Sequence, residues 1–214
     1  MPGMIALKLV LVTLLVLTIE VWSQAGNTEE HVSQRVLHLC KRNSICAEVG
    51  VWKGEFTKHL LARSPRELYL IDPWEYQVQF PGRWFSGKVA HSQSDMDEIA
   101  DGVAKRYGTY PGVHIVRNKS ANAFPTFADG TFDFVYIDGN HEYEPTLQDL
   151  RNAWRTVKAG GSITGDDYMW RNDSNFPCVK EAVETFVTEK ELRQPEVHQV
   201  GGWQFVIKKP RSEA

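Results

Sequence analysis

Cysteine is scarce in this chain, with 3 in 214 residues, and neither a CxxC pair nor a Cys/His cluster occurs. A zinc site therefore has no sequence support. Lysine and arginine never gather into a stripe interleaved with aromatics, and 24 of them against 27 acidic residues leave a formal charge of −3. That balance disfavours a polynucleotide partner. Internal repeats and low-complexity tracts are lacking, as is a GxGxxG turn. The longest run of apolar residues and threonine, residues 9–19, has 11 residues, too few for a membrane span of about 20. It follows Lys8 and leads to Ser23-Gln24-Ala25, which has small residues where a signal peptidase reads. This pattern predicts a signal peptide over residues 1–25 cut before Gly26, a mature domain over residues 26–214 in the secretory pathway or outside the cell, and no membrane span after cleavage. A buried N-terminal helix and an uncleaved signal-anchor are the alternatives for the same residues. In a secreted chain Cys40 and Cys46 pair and leave Cys178 alone; otherwise they stay as buried thiols.

What is present is the composition of one α/β domain, 42% hydrophobic and 24% charged. Short apolar runs predict strands at residues 45–49, 68–71, 113–116, 132–137, 162–164 and 203–207. Amphipathic stretches predict helices at residues 27–42, 56–61, 146–157 and 179–186, with another ending at Tyr107. Ala159-Gly160-Gly161 punctuates the chain before the fifth strand. The alternation argues for a doubly wound, mostly parallel sheet with helices on both faces. Ligands of such sheets bind beyond the carboxyl ends of the strands, so the polar residues just after each strand carry the chemistry.

Glu48 lies at the end of the first strand, next to Val49, with Gly50 and Gly54 in the following turn. Glycines let backbone N–H groups approach a ligand, and the carboxylate of Glu48 accepts from an ammonium, which together suit the zwitterion of an amino acid. A purely structural strand–helix turn is the alternative. Asp72 ends the second strand, where a carboxylate suits a ribose diol or, alternatively, caps the turn before Pro73. Ser120, after the third strand, is placed to touch an adenine edge or to cap. Asp138 and His141 follow the fourth strand, and Asp166 and Asp167 the fifth. Three carboxylates converging from adjacent strands repel one another, and a hard dication relieves that cost. His141 is the candidate general base. The alternative is that the aspartates cap and His141 is a surface imidazole.

Glu48-x-Gly50-x-x-x-Gly54, Leu70-Ile71-Asp72-Pro73-Trp74, the run from Phe132 to His141, and Ala159-Gly160-Gly161 followed by Asp166-Asp167-Tyr168 stand in the order and spacing of class I S-adenosylmethionine-dependent methyltransferases. The chain resembles the group containing catechol O-methyltransferase and the macrocin-type sugar O-methyltransferases, over about residues 46–208. The resemblance implies a Rossmann-like fold with a seven-stranded sheet ending in an antiparallel hairpin. It implies that Glu48, Gly50 and Gly54 hold the methionine moiety of S-adenosylmethionine, Asp72 the ribose and Ser120 the adenine, with Asp138 beside them. Asp138, Asp166 and Asp167 match the metal-ligand positions, for Mg²⁺ first. Two positions depart from the family: His141 stands where the catechol enzymes have lysine, and Asn140 where macrocin-type enzymes carry a second acid.

The expected reaction is metal-assisted O-methylation of a small-molecule hydroxyl, on a sugar or phenol. Residues 74–85, with five aromatics, are the candidate acceptor loop, or else pack on the core. Trp170 and Arg171 are candidates for the opposite wall. A secreted binding protein that keeps the fold without catalysis is the competing reading. An NAD-type oxidoreductase is disfavoured by Glu48 and Trp52 in the phosphate-turn positions.

Overall fold

The computed structural model describes residues 36–193, 196–198 and 204–211. The expected signal peptide and most of the expected helix at 27–42 lie outside the described residues. In chain order the elements are β1 (Ile45–Val49), α1 (Thr57–Ala62), β2 (Glu67–Asp72), α2 (Gln93–Tyr107), β3 (Val113–Arg117), α3 (Ser120–Ala123) with a 3₁₀ turn (Phe124–Thr126), β4 (Phe132–Ile137), α4 (Tyr143–Thr156), β5 (Val157–Gly165), α5 (Cys178–Glu189), β6 (Glu196–His198) and β7 (Gln204–Lys208). The sheet order is β3-β2-β1-β4-β5-β7-β6. Six strands have five residues or more, and β6 adds three residues at the outer edge. Neighbouring strands from β3 to β5 pair in parallel, while β7 runs antiparallel to both β5 and β6. This is the mostly parallel α/β sheet that the alternation predicts.

Strand side chains alternate between two cores, as a period of two requires. In β2, Leu68 and Leu70 enter the core shared with Met96 and Val103 of α2, whereas Ile71 enters the core of α4 and α5, with Leu150 and Phe186. Both faces are covered, which explains why the central strands read as nearly continuous apolar runs. In β4, Phe132 and Phe134 fall in different cores, because the register against β5 shifts between them. Ala159-Gly160-Gly161, expected to end one element before another began, instead lies inside the nine-residue β5. The helix α4 passes into β5 with no loop between Thr156 and Val157.

α2 starts at Ser92, whose side chain accepts from the Asp95 N–H at 3.2 Å, and it carries Lys105 and Arg106 in its last turn. Both features suit the orphan groups and partial charges of helix ends. Met96, Ala100, Val103 and Tyr107 form its buried stripe. Among the described residues no helix is long and apolar enough to cross a membrane. The chain winds outward from β1 to β3 and then returns to β4 on the other side of β1. That reversal opens a crevice at the carboxyl ends of β1 and β4.

Candidate functional site

A cavity of about 1400 Å³ lies over this crevice, larger than the roughly 300–1,000 Å³ of a pocket for one small ligand. Glu48, Gly50, Asp72, Ser120, Asp138, His141, Asp166 and Asp167 all line it. Of the residues singled out from sequence, Gly54 does not.

Gly50 has φ +83, and a Cβ there would sit 1.9 Å from the Asp138 carbonyl oxygen. Only glycine lets the β1 turn come this close to the end of β4. Gly54 has φ +75 and faces the Tyr107 ring, 2.6 Å from where its Cβ would stand, while the Tyr107 hydroxyl donates to its carbonyl at 2.8 Å. The turn N–H groups are also committed within the protein. Gly50 donates to Ile71 O at 2.9 Å and Gly54 to Val51 O at 2.8 Å. Both glycines thus allow close packing at the crevice; Gly50 also lines the cavity, as expected, whereas Gly54 faces Tyr107.

The N–H of Trp52 donates to Asp72 Oδ2 at 2.9 Å and that of Trp74 to Oδ1 at 2.7 Å. Trp52 and Trp74 hold left-handed backbones, φ 52 and 41, as does Asp167, φ 54. Such strain in non-glycine residues gathers where surrounding structure enforces a site. Burial raises the Asp72 carboxyl, and the backbone donors work against that shift. Glu48 is 1% exposed, and Thr57, the first residue of α1, donates to its Oε2 at 2.6 Å. Burial pushes Glu48 well up, and the charges of Asp138 and Asp72 add to it. Three carboxyls facing one crevice favour a positively charged ligand, whose arrival lowers the repulsion among them. Nothing in the sequence marked Thr57 as the partner of Glu48.

The acidic cluster is centred on His141. Its Nε2 lies 3.1 Å from Asp138 Oδ1 and its Nδ1 3.2 Å from Asp167 Oδ2. Burial lowers the imidazole pKa, but the Asp138 hydrogen bond and the charges of Asp138, Asp167 and Asp166 outweigh it, so the net direction is upward. Asp138, His141 and Asp167 offer ligand atoms within 4.8 Å of one another, a donor set that suits a divalent cation. Asp166, the other expected metal ligand, is outside that group of three, though its charge couples to Asp138, His141 and Asp167. Its Oδ1 is buried without a hydrogen-bond partner among the described residues, and burial together with the Asp138 charge raises its carboxyl to about 7.

The aromatic loop divides between core and cavity. Trp74 is fully buried, with its indole N–H donating to Trp52 O at 2.9 Å. Trp84 is 54% exposed and lies 6.1 Å from the Trp52 ring. Arg83 stacks over Trp170 at 4.5 Å and pairs with Glu142 at 2.9 Å. Trp52 and Glu142 escaped the sequence reading because their partners come from distant segments. Arg171 is exposed and does not line the cavity. All three cysteines are buried thiols.

Asp149 of α4 also lines the cavity, and burial raises its carboxyl to about 7 from 3.8, opposed by a hydrogen bond with Ser120. A raised carboxyl contributes stability that is fully present below the unfolded value and is lost as pH rises through the folded one. Ionising this group costs on the order of 4 kcal/mol. Asp149→Asn is therefore expected to melt several degrees above the wild type at pH 8, and the difference should shrink toward pH 5. Thermal melts across that range check it; a constant offset refutes the assignment.

A family model described as a methyltransferase domain matches residues 47–168. The Bacillus subtilis protein YhjP is 25% identical over 182 residues, which is 84% of this chain and 27% of that protein. The chain thus spans about a quarter of the length of that relative. Among solved structures, a Streptococcus mutans methyltransferase in complex with S-adenosylhomocysteine has a TM-score of 0.57 at 14% identity, over 85% of this chain and 97% of that one. The O-methyltransferase NovP has a TM-score of 0.56 at 16% identity, over 84% and 79% of the two chains. Other proteins of this fold are named as an N-methyltransferase and as rRNA methylases. At such identities the structures establish a shared fold.

Proposed function

Because this chain belongs to the methyltransferase-domain family, we propose that it uses S-adenosylmethionine to methylate a hydroxyl of a small molecule, a sugar or a phenol, with a divalent cation assisting. The observation that carries this reading is the cluster of Asp138, His141 and Asp167 in the same cavity as Glu48 and Asp72. Glu48 and Asp72 would hold the amino acid and ribose ends of the cofactor. Transfer forms an O–CH₃ bond as the S–CH₃ bond breaks, and the sulfonium becomes a thioether. The hydroxyl proton has to leave. His141 would take it as general base once a bound cation engages Asp138 and Asp167 and leaves a ring nitrogen free. A dication held by Asp138 and Asp167 would orient the acceptor and acidify its hydroxyl. Trp52, Trp84 and the Arg83–Trp170 stack supply flat surfaces against which a ring can lie. The size of the cavity leaves space for cofactor and acceptor together.

Transfer of labelled methyl groups to a panel of catechols, phenols and sugars tests the reading. Product is expected on at least one hydroxyl acceptor, lost with EDTA and restored by Mg²⁺. Methylation confined to amines or RNA would overturn it. The residue 9–19 run places this chemistry in the secretory pathway in our reading. Secreted material is then expected to start at or near Gly26, and an intact Met1 on cytosolic protein contradicts it.

A further inference from the structure

Asp149 has no part in the scheme above, yet it lines the same cavity. It is 4% exposed and shares a hydrogen bond with Ser120. Its Oδ2 is 3.7 Å from where a Cβ on Gly139 would stand, which puts the carboxyl against the turn that follows β4. A carboxylate has room for about four hydrogen bonds, and a buried one held by a single neutral hydroxyl is short of donors. Ala121, Pro145 and Gln148 also line the cavity and bring no cation, and Lys119, next to Ser120, is paired with Glu75 at 2.7 Å. What Asp149 lacks is a neutral N–H donor arriving from the cavity.

The place of that donor follows from the order of strands. Glu48 ends β1 and Asp72 ends the adjacent β2, while Ser120 follows β3, one strand further out. A nucleoside with its ribose at Asp72 extends its base toward Ser120, and α4 brings Asp149 to the same place. We infer that Asp149 is a further cofactor-reading residue: Ser120 holds one carboxylate oxygen, and the other accepts a hydrogen from the exocyclic 6-amino group of adenine. This rests on the reading that S-adenosylmethionine fills the crevice. It makes Asp149 the group that separates a 6-amino from a 6-oxo purine, because an acceptor facing the 6-oxo oxygen leaves two buried acceptors in contact.

Calorimetric titration with S-adenosylhomocysteine and with its 6-oxo counterpart, S-inosylhomocysteine, tests this at about pH 8.5, where the carboxyl is ionised. Wild type is expected to favour the 6-amino ligand by about tenfold or more. In Asp149→Asn the amide can turn its NH₂ toward the 6-oxo oxygen, so the preference should vanish or reverse. A structural link between α3 and α4 would instead weaken both ligands by the same factor, and that result overturns the inference. Equal binding of the two ligands by wild type overturns it without any variant, and leaves the cofactor reading standing. If wild type binds neither ligand, the cofactor reading itself fails.

Discussion

Gly50→Ala is expected to melt roughly 10 °C below the wild type and to lose most of its affinity for S-adenosylhomocysteine. Two costs combine. A left-handed backbone costs an L-residue about 1–2 kcal/mol, and the Gly50 φ is +83. The new methyl would also sit 1.9 Å from the Asp138 carbonyl oxygen, which forces β1 and β4 apart at their carboxyl ends. Overpacking of this kind costs about 1–3 kcal/mol and more against rigid backbone. The sum is on the order of 3–5 kcal/mol, out of the 5–15 kcal/mol typical of a whole domain. Gly102→Ala is the matched control. Nothing lies within 4 Å of its Cβ position inside α2, and alanine there should stabilise by about 1 kcal/mol. Calorimetric melts and ligand titration read both variants. Wild-type behaviour of Gly50→Ala would show that the two strand ends do not meet as described.

Asp138→Asn is expected to lower turnover by about 10²–10⁴-fold, the range for removing a group that handles the reacting proton. The substitution keeps the shape of the side chain and takes away the charge beside His141 Nε2, 3.1 Å distant. It also removes one of the two carboxylates proposed to hold a cation. Response to added Mg²⁺ should therefore disappear along with the rate. Asp167→Asn, acting at His141 Nδ1, 3.2 Å away, should show the same pattern. Initial rates against Mg²⁺ concentration for the three proteins decide the matter. Undiminished turnover in both variants would falsify the proposed role of the cluster.

Much of the fold was legible because its signals are local. A buried central strand needs a short apolar run, and β1 and β4 begin and end where such runs do. β6 gave no signal at three residues on an outer edge, and α3 none at four residues, since so short a helix depends on packing and not on periodicity. The Ala159-Gly160-Gly161 stretch in β5 misled because glycine marks a bulge as readily as a turn. Site residues at strand ends were visible for the same topological reason that brings them together. Their partners were not. Thr57, Trp52, Glu142 and Asp149 act across distances in sequence that no spacing rule spans, and the commitment of the Gly50 N–H to Ile71 O appears only once β2 is in place.

The left-handed backbones of Trp52, Trp74 and Asp167 bear on how this rim evolves. Each conformation costs on the order of 1–3 kcal/mol and persists only while its neighbours enforce it. Random substitution nearby will more readily relax the rim into a commoner geometry than refine it. Drift in acceptor choice should accordingly fall on exposed, cavity-lining parts of the 74–90 segment, such as Trp84 and Lys88, and leave the strained corners alone.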